Sequence, residues 1–295
     1  MKNSIRTLSG NIAIYTDLDG TLLDEHGSIE SVKSSIEIIK QAQLPLIFVT
    51  SKTYAEIEVL HTHLGMWGRM PFIVENGGAI YIPSSLFDAK MVSQSTGYKP
   101  TIDEHFLKIT LGESYNTVRT ALFQAAAKAG YNVKGIGDMS VDEFASYTGL
   151  SHDLAARAKQ REYQEGYLIE KVDDKTAAYL RMEQCIRELG FDSTAGGGFY
   201  HIMKGGSKAK AVAMLQKLYK HINPSLRSIG FGDAMSDIEF LDVCDEGYLV
   251  TNPAKIRDVS EIPPGIVKMK ESGPVAFNNV IHATLYEDRT NRHSN

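Results

Sequence analysis

The sequence predicts an α/β protein: a doubly wound, mostly parallel core sheet that carries an inserted α+β cap. Three observations lead there. Short apolar runs alternate with segments whose apolar residues recur at helical spacing, which is the pattern of a parallel sheet covered by helices. That rhythm breaks after Pro83 and resumes near Lys208. The residues richest in chemistry stand where apolar runs end.

The first run, Ile12-Ala13-Ile14-Tyr15, reads as a buried strand. It ends in Asp17-Leu18-Asp19-Gly20-Thr21. Two carboxylates two residues apart repel each other unless a cation or an essential proton shares the site. Gly20 lets the backbone turn sharply. A divalent metal site, with a carboxylate nucleophile beside an acid/base carboxyl, accounts for both; an Asp-rich turn is the plainer alternative. A helix is expected over Ser31–Ala42, where Val32, Ile36 and Ile39 recur. Strand Leu46–Val49 runs into Thr50-Ser51-Lys52 and a helix over Thr53–Leu64. Phe72–Val74 and Ala79–Ile82 read as further strands.

Beyond Pro83 the order loses its regularity. Strands are expected at Phe106–Leu111, Gly166–Ile169 and Phe199–Met203. Helices are expected at Thr117–Ala129, Asp142–Thr148, Asp153–Gln164 and Thr176–Leu189. Ser140 with Glu143 suggests a capping box, and Gly190 a helix C-terminal cap. The boundaries read from this are a core of residues 1–83 and 199–295 with a cap of 84–198. Helix Lys208–His221, strand Ser228–Phe231, helix Ser236–Val243 and strand Tyr248–Val250 restore the alternation.

At 295 residues the chain has room for one large or two medium cores. Apolar residues make up 43% and charged residues 23%, an ordinary globular composition. A net charge of −5, with signs interspersed, argues against nucleic acid or a membrane as the main partner. The two cysteines, Cys185 and Cys244, lack metal-type spacing and read as buried thiols. The first residues lack an apolar signal region, so a cytoplasmic setting is expected. Residues from about Glu287 to Asn295 are polar and expected to fray. Composition leaves the oligomeric state open.

The Asp17/Asp19 pair, the Thr50/Ser51 hydroxyls, Lys208 after Gly205-Gly206-Ser207, and Asp233 and Asp237 in Gly232-Asp233-Ala234-Met235-Ser236-Asp237 follow one another in order. This order resembles the four motifs of the haloacid dehalogenase-like phosphotransferases. The resemblance implies a Rossmann-like core in which Asp17 attacks phosphorus and forms an aspartyl-phosphate. Asp19 would protonate the leaving alkoxide and later activate water. Mg²⁺ would be held by hard oxygens of Asp17, Asp233 and the backbone near Asp19, with Asp237 serving the metal's water shell or Lys208. Thr50 or Ser51 would donate to a phosphate oxygen, and Lys208 would add a positive charge at a helix start. Ser51 reads equally well as the cap of the next helix, and Lys204 and Lys210 compete with Lys208. Asp24 reads as a turn residue.

Pro71–Pro83 with its Glu75-Asn76-Gly77-Gly78 centre, Gly137-Asp138-Met139-Ser140, Ala158–Tyr163 and Val49–Thr53 narrow the resemblance to mannosyl-3-phosphoglycerate phosphatases. Such an enzyme removes phosphate from a small phosphorylated sugar, mannosyl-3-phosphoglycerate, and releases mannosylglycerate, a compatible solute. The resemblance places Ser51, Lys52, Asn76, Gly77, Arg161, His201 and Ser236 at the substrate. Arg161 is the candidate for a substrate carboxylate, with a surface ion pair to Glu162 or Glu165 as the alternative. Asn76 reads as a sugar ligand or as a turn residue with positive φ. Gly198 stands where an arginine is expected, Gln164-Glu165-Gly166-Tyr167 replaces a Glu-Pro-Phe-like ending, and Met235-Ser236 replaces Pro-Asn. These departures leave room for a glucosyl-3-phosphoglycerate or broader sugar-phosphate phosphatase. A phosphomutase and a non-catalytic sugar-phosphate-binding regulator are weaker alternatives.

Overall fold

The computed structural model describes residues 11–252 and 262–292. Its strands are β1 (Ile12–Thr16), β2 (Leu46–Val49), β3 (Phe72–Val74), β4 (Ala79–Pro83), β5 (Thr101–Asp103), β6 (Phe106–Thr110), β7 (Val133–Gly135), β8 (Gln164–Ile169), β9 (Asp192–Gly196), β10 (Phe199–Met203), β11 (Arg227–Gly232), β12 (Glu246–Thr251) and β13 (Ile266–Ser272). The helices are α1 (Lys33–Gln41), α2 (Tyr54–His63), α3 (Ala89–Thr96), α4 (Tyr115–Ala129), α5 (Val141–Thr148), α6 (His152–Ala158), α7 (Lys175–Glu188), α8 (Lys208–Ile222), α9 (Met235–Asp242) and α10 (Gly273–Arg292).

Nine strands form one sheet in the order β13-β12-β11-β1-β2-β3-β4-β6-β5. From β13 to β3 every pairing is parallel; β4, β6 and β5 add on antiparallel. The parallel strands are apolar on both faces because helices cover both. Ile14, Phe48, Phe72 and Phe231 pack on one side with Ile36 of α1, Ile57 of α2 and Phe277 of α10. Tyr15, Ile47, Ile73 and Ile80 face the other side, against Val212 and Leu215 of α8 and Phe240 of α9. Chain order reverses on either side of β1, which lies between β11 and β2. The crevice at the carboxyl ends of these strands is where such sheets bind ligands.

A second sheet, β7-β8-β10-β9, is antiparallel. Helices α4 and α7 pack on one of its faces through Leu122, Met182 and Ile186 against Tyr167 and Ile202. Helices α5 and α6 bury Phe144 and Ala155 with Ile136 and Phe199.

The strands divide differently from the boundaries read in the sequence. β5 and β6 extend the large sheet although they follow Pro83, and β10 belongs to the small sheet although it follows Gly198. The expected helix over Asp153–Gln164 stops at Ala158, and Gln164 opens β8. Ser140 caps α5 through the Glu143 N–H, but the Glu143 carboxylate pairs with Lys134 rather than closing a capping box. A complete box stands at α2, on Thr53 and Glu56 rather than on Ser51. Gly190, at φ 76°, follows the end of α7 as expected. Asp24 is the turn residue expected, its Oδ1 accepting the N–H groups of His26 and Ser28. Helix α10 runs through Arg292; positions 293–295, the end of the segment expected to fray, lie outside the described residues. Cys185 and Cys244 are free thiols, Cys185 buried and Cys244 partly so. Among the described residues, no helix is long and apolar enough to cross a membrane.

Candidate active site

β1 delivers Asp17 to the crevice. The next turn wraps on the Leu18 carbonyl, which accepts the N–H groups of Thr21, Leu22 and Leu23. Gly20, at φ 85°, is required there: a Cβ would lie 2.4 Å from Asn252 Nδ2 and 2.5 Å from Asp233 Oδ2. β11 brings Asp233, and the first turn of α9 brings Asp237. One oxygen from each of Asp17, Asp233 and Asp237 lies within 4.8 Å of the others, and all three residues are buried.

Lys208, at the start of α8, enters this cluster with its Nζ 2.7 Å from Asp17 Oδ1 and 2.6 Å from Asp237 Oδ1. The other Asp237 oxygen accepts the N–H groups of Asp233 and Ala234, which fixes the loop that presents Asp233. Asn252 donates its side-chain amide to Asp233. Burial pushes the Asp17 carboxyl up to about 7; Lys208 opposes this, and Asp237 and Asp233 add to it. Burial alone would pull Lys208 down, but Asp17 and Asp237 outweigh it and hold the ammonium above its usual range. One buried cation against three buried carboxylates leaves a deficit of positive charge. The donor set is hard oxygen, so the cluster is compatible with a bound metal ion.

The other expected residues divide in the following way. The Asp19 carboxylate lies outside the three-carboxylate cluster. It is more than half exposed and pairs with Lys52 at 2.9 Å. Lys52 also lies 3.7 Å from Glu56, so both its neighbours are acids of the core and its charge is already engaged. Of the two hydroxyl candidates, Ser51 lines the cavity. Thr50 lies behind the wall, buried, with Oγ1 accepting the Lys52 N–H. Lys204 stacks on Phe191 and Lys210 on Tyr98, and neither meets the carboxylates. Gly77 does not line the cavity. Its Cβ would fall 2.2 Å from the Ser207 carbonyl, so its role is to let the Lys208 loop seat against it. Asn76 has φ 55° and lines the cavity, but its amide donates to Gln164 Oε1 at 2.8 Å.

Above the carboxylates lies a cavity of about 440 Å³. Asp17, Asp19, Ser51, Lys208 and Ser236 line its floor, and the open face of the small sheet and α5 form its roof. On that face Thr194 and Gly196 of β9 stand beside His201 and Phe199 of β10, with Phe144 and Leu150 next to them. His201 is buried with Nε2 3.0 Å from the Gly196 carbonyl, which can only accept, so Nε2 carries the proton. Burial, and then Arg161, pull this imidazole down to about 4, so it is neutral. Arg161 also lines the cavity, donating from Nη1 to the Ser51 carbonyl at 3.4 Å. The two acids expected to compete for it are engaged elsewhere, Glu162 with Lys108 and Glu165 with Arg119.

Three residues of this site escaped the sequence reading: Asn252, Glu75 and Gln164. Asn252 had a readable signal, since it follows β12 at the same sheet edge. Glu75 and Gln164 had none, because their partners lie 87 or more residues away for the side-chain bonds they make.

A family model for haloacid dehalogenase-like hydrolases matches residues 14–276. The chain belongs to the haloacid dehalogenase-like hydrolases. It is 36% identical over 271 residues to a glucosyl-3-phosphoglycerate/mannosyl-3-phosphoglycerate phosphatase of Methanococcoides burtonii, covering 91% of this chain and 95% of the relative. It is 32% identical over 254 residues to a mannosyl-3-phosphoglycerate phosphatase of Pyrococcus furiosus, covering 83% and 97%. Among solved structures, a sucrose-phosphatase from Synechocystis superimposes with a TM-score of 0.60 at 15% identity, covering 92% of this chain and 97% of that one. At that identity the likeness speaks for the fold, which agrees with the expected Rossmann-like core.

Proposed function

We propose that this hydrolase is a phosphoric monoester hydrolase. It releases phosphate from mannosyl-3-phosphoglycerate and accepts the glucosyl ester as a second substrate. The observation that carries the chemistry is the buried constellation of Asp17, Lys208, Asp233 and Asp237 beneath the cavity. The substrate class rests on relatives that bear these names over nearly their whole length.

In the proposed reaction a carboxylate oxygen of Asp17 forms a bond to phosphorus as the ester P–O bond breaks. Asp19, at the cavity floor, would enter this step protonated, its ion pair with Lys52 given up, and pass that proton to the departing alkoxide. Asp19 then takes a proton from water, whose oxygen attacks the phosphoenzyme and releases phosphate and free Asp17. Lys208 offsets charge on the phosphoryl oxygens, and Ser51 donates a hydroxyl to one of them. Asp17 and Asp233 would hold Mg²⁺, with Asp237 fixing the Asp233 loop. When bound, Mg²⁺ would neutralise the carboxylates and the phosphate together. We take the small sheet with its helices, between Thr110 and Lys204, as the cap that excludes water from the leaving-group side.

Acceptance of both sugars is favoured by the roof. Gly197 and Gly198 form the two-residue turn between β9 and β10, with φ 60° and 82°, and no arginine enters from Gly198. A Cβ on Gly196 or Gly197 would meet nothing within 4 Å. Steady-state hydrolysis of mannosyl- and glucosyl-3-phosphoglycerate side by side is the test. Comparable kcat/KM on both, well above that on simple sugar phosphates, is the expected outcome. Preference for simple sugar phosphates would defeat the reading.

A further inference from the structure

The chain leaves the small sheet's helices after Ala158 and re-enters β8 at Gln164, crossing the core face on the way. That crossing carries Arg161. Its landing point is Glu75, which directly follows β3 and is 1% exposed. Both oxygens of the Glu75 carboxylate are used. Oε1 accepts the Glu162 N–H at 2.9 Å, and Oε2 accepts those of Tyr163 at 2.8 Å and Gln164 at 3.0 Å. The Gln164 side chain completes the joint, with Nε2 donating to the Ser51 carbonyl at 2.8 Å and Oε1 accepting from Asn76.

Two features set this joint apart from ordinary packing. Glu75 and Asn76 have φ 48° and 55°, a left-handed conformation that non-glycine residues adopt at a cost. In this conformation the Glu75 carboxylate reaches across to the amides of residues 162–164. Glu75 is also a buried acid that meets backbone N–H groups in place of a neighbouring lysine. Burial raises its carboxyl above the usual range; the Arg161 charge is the largest influence opposing that, followed by the three amides. Arg161 and the Gln164 side chain converge on one acceptor, the Ser51 carbonyl, beside the hydroxyl proposed to meet phosphate.

We infer that Glu75 and Gln164 are positioning residues that lock the re-entrant segment 161–164 to the phosphate-binding loop, and so set where Arg161 meets the substrate's carboxylate. Glu75 touches no reacting atom; it acts through Arg161. The inference rests on the proposed function for the identity of that carboxylate, but the joint itself does not.

The test is Glu75→Gln alone and combined with Arg161→Ala. The carboxamide presents an NH₂ where an acceptor is needed, so protection of the Glu162, Tyr163 and Gln164 amides from hydrogen exchange falls. On glycosyl-3-phosphoglycerate kcat/KM drops about tenfold or more, mostly through KM, while a small aryl phosphate changes less than about threefold. In the Arg161→Ala background the second substitution adds little, because both act on one contact. Should Glu75→Gln fail to fold, Gln164→Met keeps the volume, breaks only the Ser51 and Asn76 bonds, and should show the same substrate pattern. Unchanged amide protection, equal losses on both substrates, or additive losses would each overturn the inference. If the wild-type enzyme leaves glycosyl-phosphoglycerates untouched, the proposed function fails, and hydrogen exchange still decides whether Glu75 holds the segment.

Discussion

Replacing Lys208 by Met tests the centre of the site, because this lysine is buried among the carboxylates and is proposed to act on the phosphoryl group. Its ammonium is the cation that meets Asp17 and Asp237, at 2.7 and 2.6 Å. Methionine fills most of the lysine's volume, so packing along α8 changes little while the charge is lost. Removing one partner of a buried ion pair costs about 3–5 kcal/mol, because the other charge is left uncompensated. For a chain of this size each kcal/mol lowers Tm by roughly 2–4 °C, so Lys208→Met without metal should melt roughly 6–20 °C below wild type. A divalent cation bound to the folded site offsets part of this; at a hundredfold excess over its Kd the gain is about 2.7 kcal/mol. Thermal unfolding with EDTA and with Mg²⁺, followed by phosphate release, is the assay. A Tm in EDTA within about 1 °C of wild type would refute the account of the ion pairs. Turnover within tenfold of wild type would refute the role of Lys208 in stabilising the phosphoryl group.

Four further expectations follow from the geometry. Asp17→Asn should abolish turnover almost completely, since an amide cannot form the acyl-phosphate, and substantial residual phosphate release would reassign the nucleophile. Mg²⁺ should support activity and Ca²⁺ inhibit it, because Ca²⁺ takes more ligands at longer distances and draws Asp17 out of line; full activity after exhaustive chelation would remove the metal from the mechanism. Arg161→Ala should lower kcat/KM about ten- to a hundredfold for a phosphoglycerate ester, the worth of one charged hydrogen-bonded pair, and leave an aryl phosphate nearly unchanged. Equal losses on both would make Arg161 structural. His61 gives a pH signature: it is buried edge-on between Phe48 and Phe72, both ring nitrogens lack partners, and burial pulls it from 6.5 down to about 3. With the folded pKa depressed, its contribution is complete above pH 6.5 and is lost as pH falls from 6.5 toward 3, by on the order of 4 kcal/mol. His61→Phe should flatten the Tm-against-pH profile over that range, and parallel profiles would exclude His61 as the cause.

The clustering of the carboxylates with Lys208 was easier to read in the sequence than the framework around the small sheet. Asp17, Asp233 and Lys208 each stand at the end of a strand or the start of a helix, so a local pattern is enough to find them. The strand at Phe106–Thr110 was also legible as a strand. What alternation cannot show is which sheet a strand joins, and antiparallel pairing with β4 decides that. The same blindness put Phe199–Met203 with the core, although Gly166 and Thr194 are the residues opposite His201. Helical spacing carried α6 past its end because nothing in Lys159–Gln164 breaks a helix by propensity. The Glu75 carboxylate captures those backbone amides in a crossing segment instead. Ion pairs mislead for a related reason. Glu162 and Glu165 are near Arg161 in sequence, but tertiary structure gives them to Lys108 and Arg119.

The division of labour between floor and roof explains why substrate identity is the least legible property. In the proposed reaction the floor has one task, so its residue types are dictated: a nucleophilic carboxylate, an acid, a cation and a metal-compatible cluster. The roof only has to fit a leaving group, and many surfaces do. Here it is built from Phe144, Leu150 and Phe199, bare backbone at Gly196 and Gly197, and the polar side chains of Thr148, Thr194 and His201. One of those, His201, already spends its Nε2 proton on the Gly196 carbonyl. An arginine at position 198 would have to adopt the left-handed conformation that the Gly197–Gly198 turn imposes, at roughly 1–2 kcal/mol. Its absence therefore stabilises the turn while removing a cation from that end of the cap. An apolar wall discriminates weakly between sugars that differ in the direction of one hydroxyl, because strong rejection requires a buried polar group left unpaired by the wrong substrate. Under the proposed function the floor would read the phosphate and Arg161 the carboxylate. The sugar would then be enclosed more than recognised, which is the reason both mannosyl and glucosyl esters are proposed as substrates.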